Sequence, residues 1–463
     1  MLSVEQTFDA LHDMIDSYFH RARSQAVHSN ALPFGTERKP LAESCGSRLA
    51  SELSAAIAIP SCDVSAMDGY ALNREALDLY QAGTDEPIIC VDLEMAAGIC
   101  EEKFKSICNQ LAAPWPLCCR IFTGAPVPTS AVTVVMQEYV LKLDINEEYK
   151  DQSGLRIKLD SLQSNAIKKD QHIRRCGEEI QKGQPLLDKG AVIHPAHIPL
   201  LAAQGLESIE VYRKPTIAVI STGNELCDVN AQQAPAFGEI YDSNRSSLLA
   251  SLTHLGFTSI DGGIVGDSKA QIRRRIIELS QNADLIIASG GVSVGDYDHI
   301  RECIEEIGKI HTYKVAMKPG KPLAIGEIGS KICKSTEQIP TLFFGLPGNP
   351  VSSFVCFELF VKSALTHLQE GKRVDLIGKN AVQATTNILL NKRPGRADFQ
   401  RVVVAKSAHS YRIVKTFSQQ SHRVAALAAS NALALFDAQS EGAKPGDRVT
   451  CLLHAPALEQ SNA

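Results

Sequence analysis

ADLIIASGGVSVGDYDHIRECIEEIG, Ala283 to Gly308, decides how the second half of this chain is read. ADLIIAS reads as a buried strand and DHIRECIEEIG as a helix, and the join holds three glycines, Gly290, Gly291 and Gly295, beside Ser293, Asp296 and Asp298. Glycine loses more conformational freedom on ordering than any other residue. A turn this rich in it implies a tight reversal or a close backbone approach to a ligand, and on this stretch alone the two readings weigh the same.

Working outward, PTIAVIST, SSLLASLTHLG, SIDGGIVGD, SKAQIRRRIIELSQ and TLFFGLPGNPVSSFVCFELFVKSALTHL repeat the alternation, with Pro350 in the first turn of the last helix. Strands alternating with helices predict right-handed crossovers on a mostly parallel sheet, a doubly wound α/β domain over residues 214–368. Short apolar runs between turn residues predict a β-rich domain over 61–170 and a second β domain over 369–463. Residues 1–60 with 171–213 are expected to form one discontinuous N-terminal or linker domain. The architecture expected is therefore α/β multidomain.

The totals agree: 463 residues imply about three domains or four small ones. With 44% apolar residues, 21% charged residues and a net charge of -5, the chain has ample core and no cation excess for a nucleic-acid backbone. No nucleic-acid partner is expected. MLSVEQTFDALHDMIDSYFH has the spacing of an amphipathic packing helix rather than a signal peptide, and no apolar stretch approaches the roughly 20 residues of a membrane span. The 13 cysteines are odd in number and scattered without a CxxC pair, which favours a reducing cytoplasm over disulfides or zinc. Cys118 and Cys119 read as small buried hydrophobes.

In an open parallel sheet, ligands bind beyond the carboxyl ends of the strands. That rule selects STGNEL, GDS, SGGVSVGDYD and GLPGNPVS, four loops whose free N–H groups can receive an anion. Glu225, Asp242, Asp267, Asp296 and Asp298 add carboxylates to the same rim, a combination suited to a phosphorylated ligand held with Mg2+. In MKPGKP, Lys318 and Lys321 bracket a Pro-Gly turn and read as clamps for a phosphate or tetrahedral oxyanion. Pro347 and Pro350 stiffen LPGNPVSS. Asp68, in SAMDGYAL, reads equally as a turn aspartate bonded to its own backbone. His172, His299 and His422 read as ordinary surface or core residues.

Taken together, SAMDGYAL, RIFTGAPVP, STGNEL, IYDSNR, SGGVSVGDYD, MKPGKP, GLPGNPVS and GRADFQR resemble the molybdopterin molybdenumtransferase family, which includes the E domain of gephyrin. The likeness runs in order from about residue 41 to the C-terminus. It implies a three-layer molybdopterin-binding α/β domain, β-rich domains and a C-terminal β-barrel-like domain. It also implies an enzyme that inserts molybdenum from molybdate into adenylylated molybdopterin and releases AMP, with Mg2+ as cofactor. By the same resemblance Asp68, Thr123, Glu225, Asp242, Lys318 and Lys321 are the catalytic candidates, and Glu225, Asp242 and Asp267 the metal candidates. Thr222, Gly223, Asn244, Gly290, Gly291, Ser293, Gly295, Asp296, Asp298, Pro347, Gly348, Asn349, Pro350, Arg396 and Ser421 are the substrate-binding candidates.

The resemblance further implies a cytoplasmic homodimer, with Asp68 and Thr123 reaching a partner's cleft. Its expected partners are molybdopterin adenylyltransferase and acceptor molybdoenzymes or their chaperones, with no membrane. The chain departs from the family pattern at Gly177-Glu178-Glu179-Ile180, where an aspartate is lengthened to Glu179, at Asp296, and in the cysteine-rich segment 76–112. Two other readings are a non-catalytic pterin-binding or scaffolding paralogue and a hydrolase of the nicotinamide mononucleotide deamidase type. The lysine and carboxylate rim weighs against the first, and SAMDGYAL with the C-terminal β domain against the second.

Overall fold

Strand and helix alternate from Ile217 onwards as the apolar runs predict. The computed structural model describes residues 1–25, 33–84, 86–143, 155–159, 167–231, 234–292, 299–329, 339–407 and 410–459. Two compact units account for the chain, Arg38–Val211 and Met1–Glu37 with Tyr212–Ala463.

The larger unit begins with α1 (Val4–Gln25) and resumes as β1 (Ile217–Thr222), α2 (Ser243–His254), β2 (Ser259–Val265), α3 (Lys269–Ser280), β3 (Leu285–Ser289) and α4 (His299–Ile307). There follow β4 (Gly308–Tyr313), β5 (Ala324–Ile328), β6 (Thr341–Leu346) and α5 (Pro350–Cys356), which runs on through Phe357–Val361 into α6 (Lys362–Glu370). The strands lie in the order β2-β1-β3-β6-β5-β4. The first four are parallel, and β5 and β4 join antiparallel.

Side chains alternate across these strands, so both faces must be covered, which is why they read as continuous apolar runs. Ile217, Val219, Leu285 and Ile287 pack with α1, α2, α5 and α6. Ala218, Ile220, Ile286 and Ala288 pack with α3 and α4. The result is three layers. The run Pro350–Glu370 is apolar and long enough to cross a membrane but is mostly buried in this core.

The expected grouping of residues 1–60 with 171–213 differs from the structure at its start. Leu11, Met14, Ile15 and Tyr18 of α1 are buried in the core that covers β1 and β3. Spacing along α1 reveals an apolar face but not which sheet that face covers. Leu41 and Leu49 meet Ile193, Leu201, Ile209 and Val211 in one small core.

Five strands close the C-terminal barrel. Ala397–Lys406 pairs with Tyr411–Thr416 and Ala432–Phe436, and Ala381–Thr386 and Arg448–Leu453 complete the ring.

In the smaller unit a mixed sheet runs Ala131–Met136, Gly69–Asn73, Leu117–Ile121, Ile88–Met95, Arg156–Leu159, Val140–Leu143. Two helices, Arg74–Gln81 and Glu101–Leu111, cover it, so the region expected to be β-rich is α/β. Asn73 organises the first of them: its Oδ1 accepts from Ala76 N at 3.0 Å as an N-cap, and its Nδ2 donates to the carbonyl oxygen of Trp115 at 2.9 Å. Cys118 and Cys119 are fully buried on opposite faces of the sheet, as small hydrophobes.

Candidate active site

A cleft of about 590 Å3 opens at the carboxyl ends of β1, β3 and β6. Thr222, Gly223, Glu225, Asp242, Asn244, Asp267, Gly290, Gly291, Pro347, Gly348, Asn349 and Pro350 all line it. Ser289, Pro322 and His422 line it as well and were not selected from the sequence. For His422 the available signal was its position next to Ser421. Ser293, Gly295, Asp296 and Asp298 lie outside the described residues.

The glycine turn after β3 has an internal cause. Gly290 and Gly291 have φ of +92° and +63°. A Cβ on Gly290 would lie 2.4 Å from the Thr222 carbonyl oxygen, and one on Gly291 2.8 Å from Thr222 Oγ1. The two strand ends therefore touch backbone to backbone, which only glycine permits. Thr222 is 4% exposed, and its Oγ1 has no hydrogen-bond partner among the described residues. A buried hydroxyl left without a partner is costly, and this one belongs to a residue that lines the cleft. Asn244 ties the start of α2 to the end of β3 and to the loop between β6 and α5 by donating to Ser289 Oγ at 2.8 Å and to the Gly348 carbonyl oxygen at 2.7 Å.

Three carboxylates sit on the rim in different states. Asp242 is 1% exposed and caps α2, accepting from Ser221 Oγ at 3.0 Å and from Arg245 N at 3.1 Å, while its Oδ2 accepts from Arg245 Nε at 3.0 Å. Arg245 also pairs with Asp228 and Asp261, and these partners raise its guanidinium pKa against the lowering effect of burial. Asp267 Oδ2 accepts from Asn224 N at 3.1 Å, and Asn224 Oδ1 accepts from Asp267 N at 3.1 Å, locking two loops together. Glu225 is exposed and folds back over Gly223, whose added Cβ would meet Oε2 at 2.4 Å.

The three members of the expected metal set line the cleft together, but not on equal terms. Among the described residues no three His, Cys, Asp or Glu side chains are grouped so as to hold an ion. Asp242 has both oxygens committed to its own helix and to Ser221, which spacing in a sequence cannot reveal.

Lys318 and Lys321 are exposed and do not line the cleft, although Pro322 beside them does. Met317–Lys318 pairs with the barrel strand at Ala397 and Asp398, which sets exposed Arg396 next to this turn. The Ser421 carbonyl oxygen accepts from Val351 N at 3.2 Å at the start of α5. In the smaller unit, Asp68 Oδ1 accepts from Thr123 N at 2.7 Å and Thr123 Oγ1 at 2.8 Å. Asp68 is therefore bonded to Thr123 rather than to its own turn, and these bonds, the backbone one first, hold its carboxyl below the usual carboxylate range.

A doubly wound sheet whose strand ends open into a cleft of glycine-rich loops defines an α/β protein that binds a small molecule at its sheet edge. Residues 17–205 match the family described as MoeA N-terminal region (domain I and II), residues 218–367 the probable molybdopterin binding domain, and residues 383–453 the MoeA C-terminal region (domain IV). The chain is 33% identical to the molybdopterin molybdenumtransferase of Haemophilus influenzae over 433 residues, 93% of this chain and 96% of that one. It is 34% identical to the molybdopterin molybdenumtransferase of a Nostoc species over 70% of this chain and 67% of that one. The fold matches the molybdopterin biosynthesis MoeA protein of Pyrococcus horikoshii with a TM-score of 0.71 at 23% identity, covering 98% of this chain and 99% of that one. This protein belongs to the molybdopterin molybdenumtransferase family.

Proposed function

We propose that the protein inserts molybdenum from molybdate into adenylylated molybdopterin, forming molybdenum cofactor and releasing AMP. The observation that carries this reading is the cleft itself. Thr222, Asn244, Gly290, Gly291 and Gly348 converge there, within a chain that aligns with a molybdopterin molybdenumtransferase over 93% of its length.

Molybdate is a tetrahedral oxyanion, and exchanging its oxygens for dithiolene sulfurs requires the reactants to be held together while oxide leaves as water. Positioning and charge neutralisation supply most of such a barrier, so no covalent protein nucleophile is needed. The Thr222 hydroxyl and the N–H groups of the glycine loops hold the pterin and its phosphates, and the Asn244 amide, with both hydrogens given to Ser289 Oγ and the Gly348 carbonyl oxygen, keeps that edge of the cleft in place. Lys318, Lys321 and Arg396, exposed on one turn and its neighbouring strand, neutralise the oxyanion, and the Ser421 carbonyl oxygen holds the start of α5. Glu225 and Asp267, which line the same cleft, would hold Mg2+ together with the substrate's phosphates, since that ion needs only one or two carboxylates from the protein.

The reading also carries a cytoplasmic homodimer, supplied by molybdopterin adenylyltransferase and feeding acceptor molybdoenzymes or their chaperones. Within the units it divides the chain more finely, into a linker lobe narrowed from 1–60 with 171–213 to 38–60 with 171–211, an α/β region, a molybdopterin-binding domain and a C-terminal barrel. The test is AMP release from adenylylated molybdopterin by the purified protein, with and without molybdate. Molybdate-dependent release with molybdenum-loaded pterin is the expected result. Tight pterin binding without release would replace this reading with that of a non-catalytic scaffold.

A further inference from the structure

The unit Arg38–Val211 carries two exposed thiols where two chain segments meet. Ser65 pairs with Ile173 and Val64 with Arg174 in an antiparallel ladder, and Ile59 bridges Ile180 on the far side. The register shifts by one residue between these two pairings, and Cys176 lies in the turn that takes up the shift, where Glu178 N donates to the Arg175 carbonyl oxygen at 3.0 Å. Both cysteines are exposed.

Bonds between the segments fix that turn against residues 60–63. Asp63 Oδ1 accepts from Cys176 N at 2.8 Å, and Gly177 N donates to the Pro60 carbonyl oxygen at 2.9 Å. The Cys176 thiol donates to the Ser61 carbonyl oxygen at 3.3 Å, which lays its sulfur against the peptide that joins Ser61 to Cys62. Arg175 braces the same place through ion pairs with Asp63 and Asp170. By contrast Cys118, Cys119, Cys303, Cys356 and Cys451 are buried, and burial pushes each of their thiols up and away from the reactive thiolate.

We propose that Cys62 and Cys176 form a dithiol site that low-molecular-weight disulfides of the glutathione class oxidise to an intramolecular disulfide. One thiolate attacks the small disulfide, forming a mixed disulfide and releasing one small thiol. The second thiolate attacks the protein sulfur of that mixed disulfide, forming the Cys62–Cys176 bond and releasing the second small thiol. Two protein thiols are oxidised, one small disulfide is reduced, and the two thiol protons end on the two released thiols. The new bond fastens the segment that leads into Asp68 to the segment 173–180. The transferase chemistry uses neither thiol.

The test uses the full chain, reduced and then exposed to oxidised glutathione at pH 8, with remaining thiols alkylated before digestion and mass spectrometry. The wild-type protein is expected to yield a cross-linked peptide pair joining Cys62 to Cys176. Cys62→Ser should trap glutathione on Cys176, and Cys176→Ser should trap it on Cys62, each roughly tenfold above the adduct left at that position in the wild type. Exposed Cys45 and Cys100 report that the reagent is active. Equal adduct in wild type and single variants without a cross-linked peptide overturns the proposal. So does retention of both thiols while Cys45 or Cys100 reacts.

Discussion

His12 Nδ1 lies 2.9 Å from His367 Nδ1, deep between α1 and α6. Two ring nitrogens at that distance share one proton at most, so the pair is stable with one N–H donating to a bare nitrogen. His367 is fully buried, its Nε2 is 3.1 Å from Asp16 Oδ1, and Arg373 bridges Asp13 and Asp16 beyond it. Burial first, and then His12, pushes the His367 pKa down to about 4, and burial likewise lowers that of His12.

The sign of the pH dependence follows from that depression. Between the ordinary histidine value of 6.5 and about 4, the unfolded chain binds a proton at His367 that the folded chain refuses. Stability should therefore fall as pH drops through that window, by on the order of a few kcal/mol, and level off below it. Thermal melts at pH 7.5, 6 and 5 check this, and His367→Gln should flatten the slope. An unchanged slope in the variant would remove this pair as the origin of the acid sensitivity.

Gly290→Ala tests the contact between β1 and β3. The new methyl would meet the Thr222 carbonyl oxygen at 2.4 Å, on a backbone at φ +92° that side chains rarely adopt. Strain of that kind costs about 1–3 kcal/mol before any clash is counted. The variant should melt several degrees lower and lose AMP release, whereas Gly395→Ala, where an added Cβ meets nothing within 4 Å, should keep release within about twofold while paying only for its own φ of +122°.

Much of this was legible in the sequence. The α/β order could be read because strands buried on both faces must be apolar throughout, and the cleft could be located because helices and loops converge at strand ends. What stayed hidden were pairings across long distances in the chain. Nothing near Leu11 or Tyr18 says that α1 covers β1 and β3, and nothing near Asp242 says that Arg245 and Ser221 occupy its oxygens. Phe104, Ile107 and Leu111 do carry helical spacing inside the region read as β-rich, but the neighbouring apolar runs outweighed them.

Asn244→Ala should loosen the cleft without unfolding the chain. It removes the bonds to Ser289 Oγ and to the Gly348 carbonyl oxygen, each contributing about 1 kcal/mol net. Because both partners line the cleft, small displacements there should lower AMP release on the order of 100-fold. Circular dichroism checks the fold and single-turnover release checks the chemistry. Release at the wild-type rate would mean that the loops hold their positions without this side chain.

Lys318→Ala and Lys321→Ala should separate molybdate binding from pterin binding. Both side chains are exposed and away from the cores, so neither truncation should shift the melting temperature by more than about a degree or two. An oxyanion that loses one cationic partner in an exposed setting loses about 1–3 kcal/mol of binding, which predicts a rise of roughly 5- to 150-fold in the molybdate concentration giving half-maximal AMP release. The affinity for adenylylated molybdopterin, measured without molybdate, should change little. If pterin affinity falls instead, the lysines hold the substrate's phosphates and the oxyanion must be held by Arg396, for which Arg396→Ala then supplies the deciding titration.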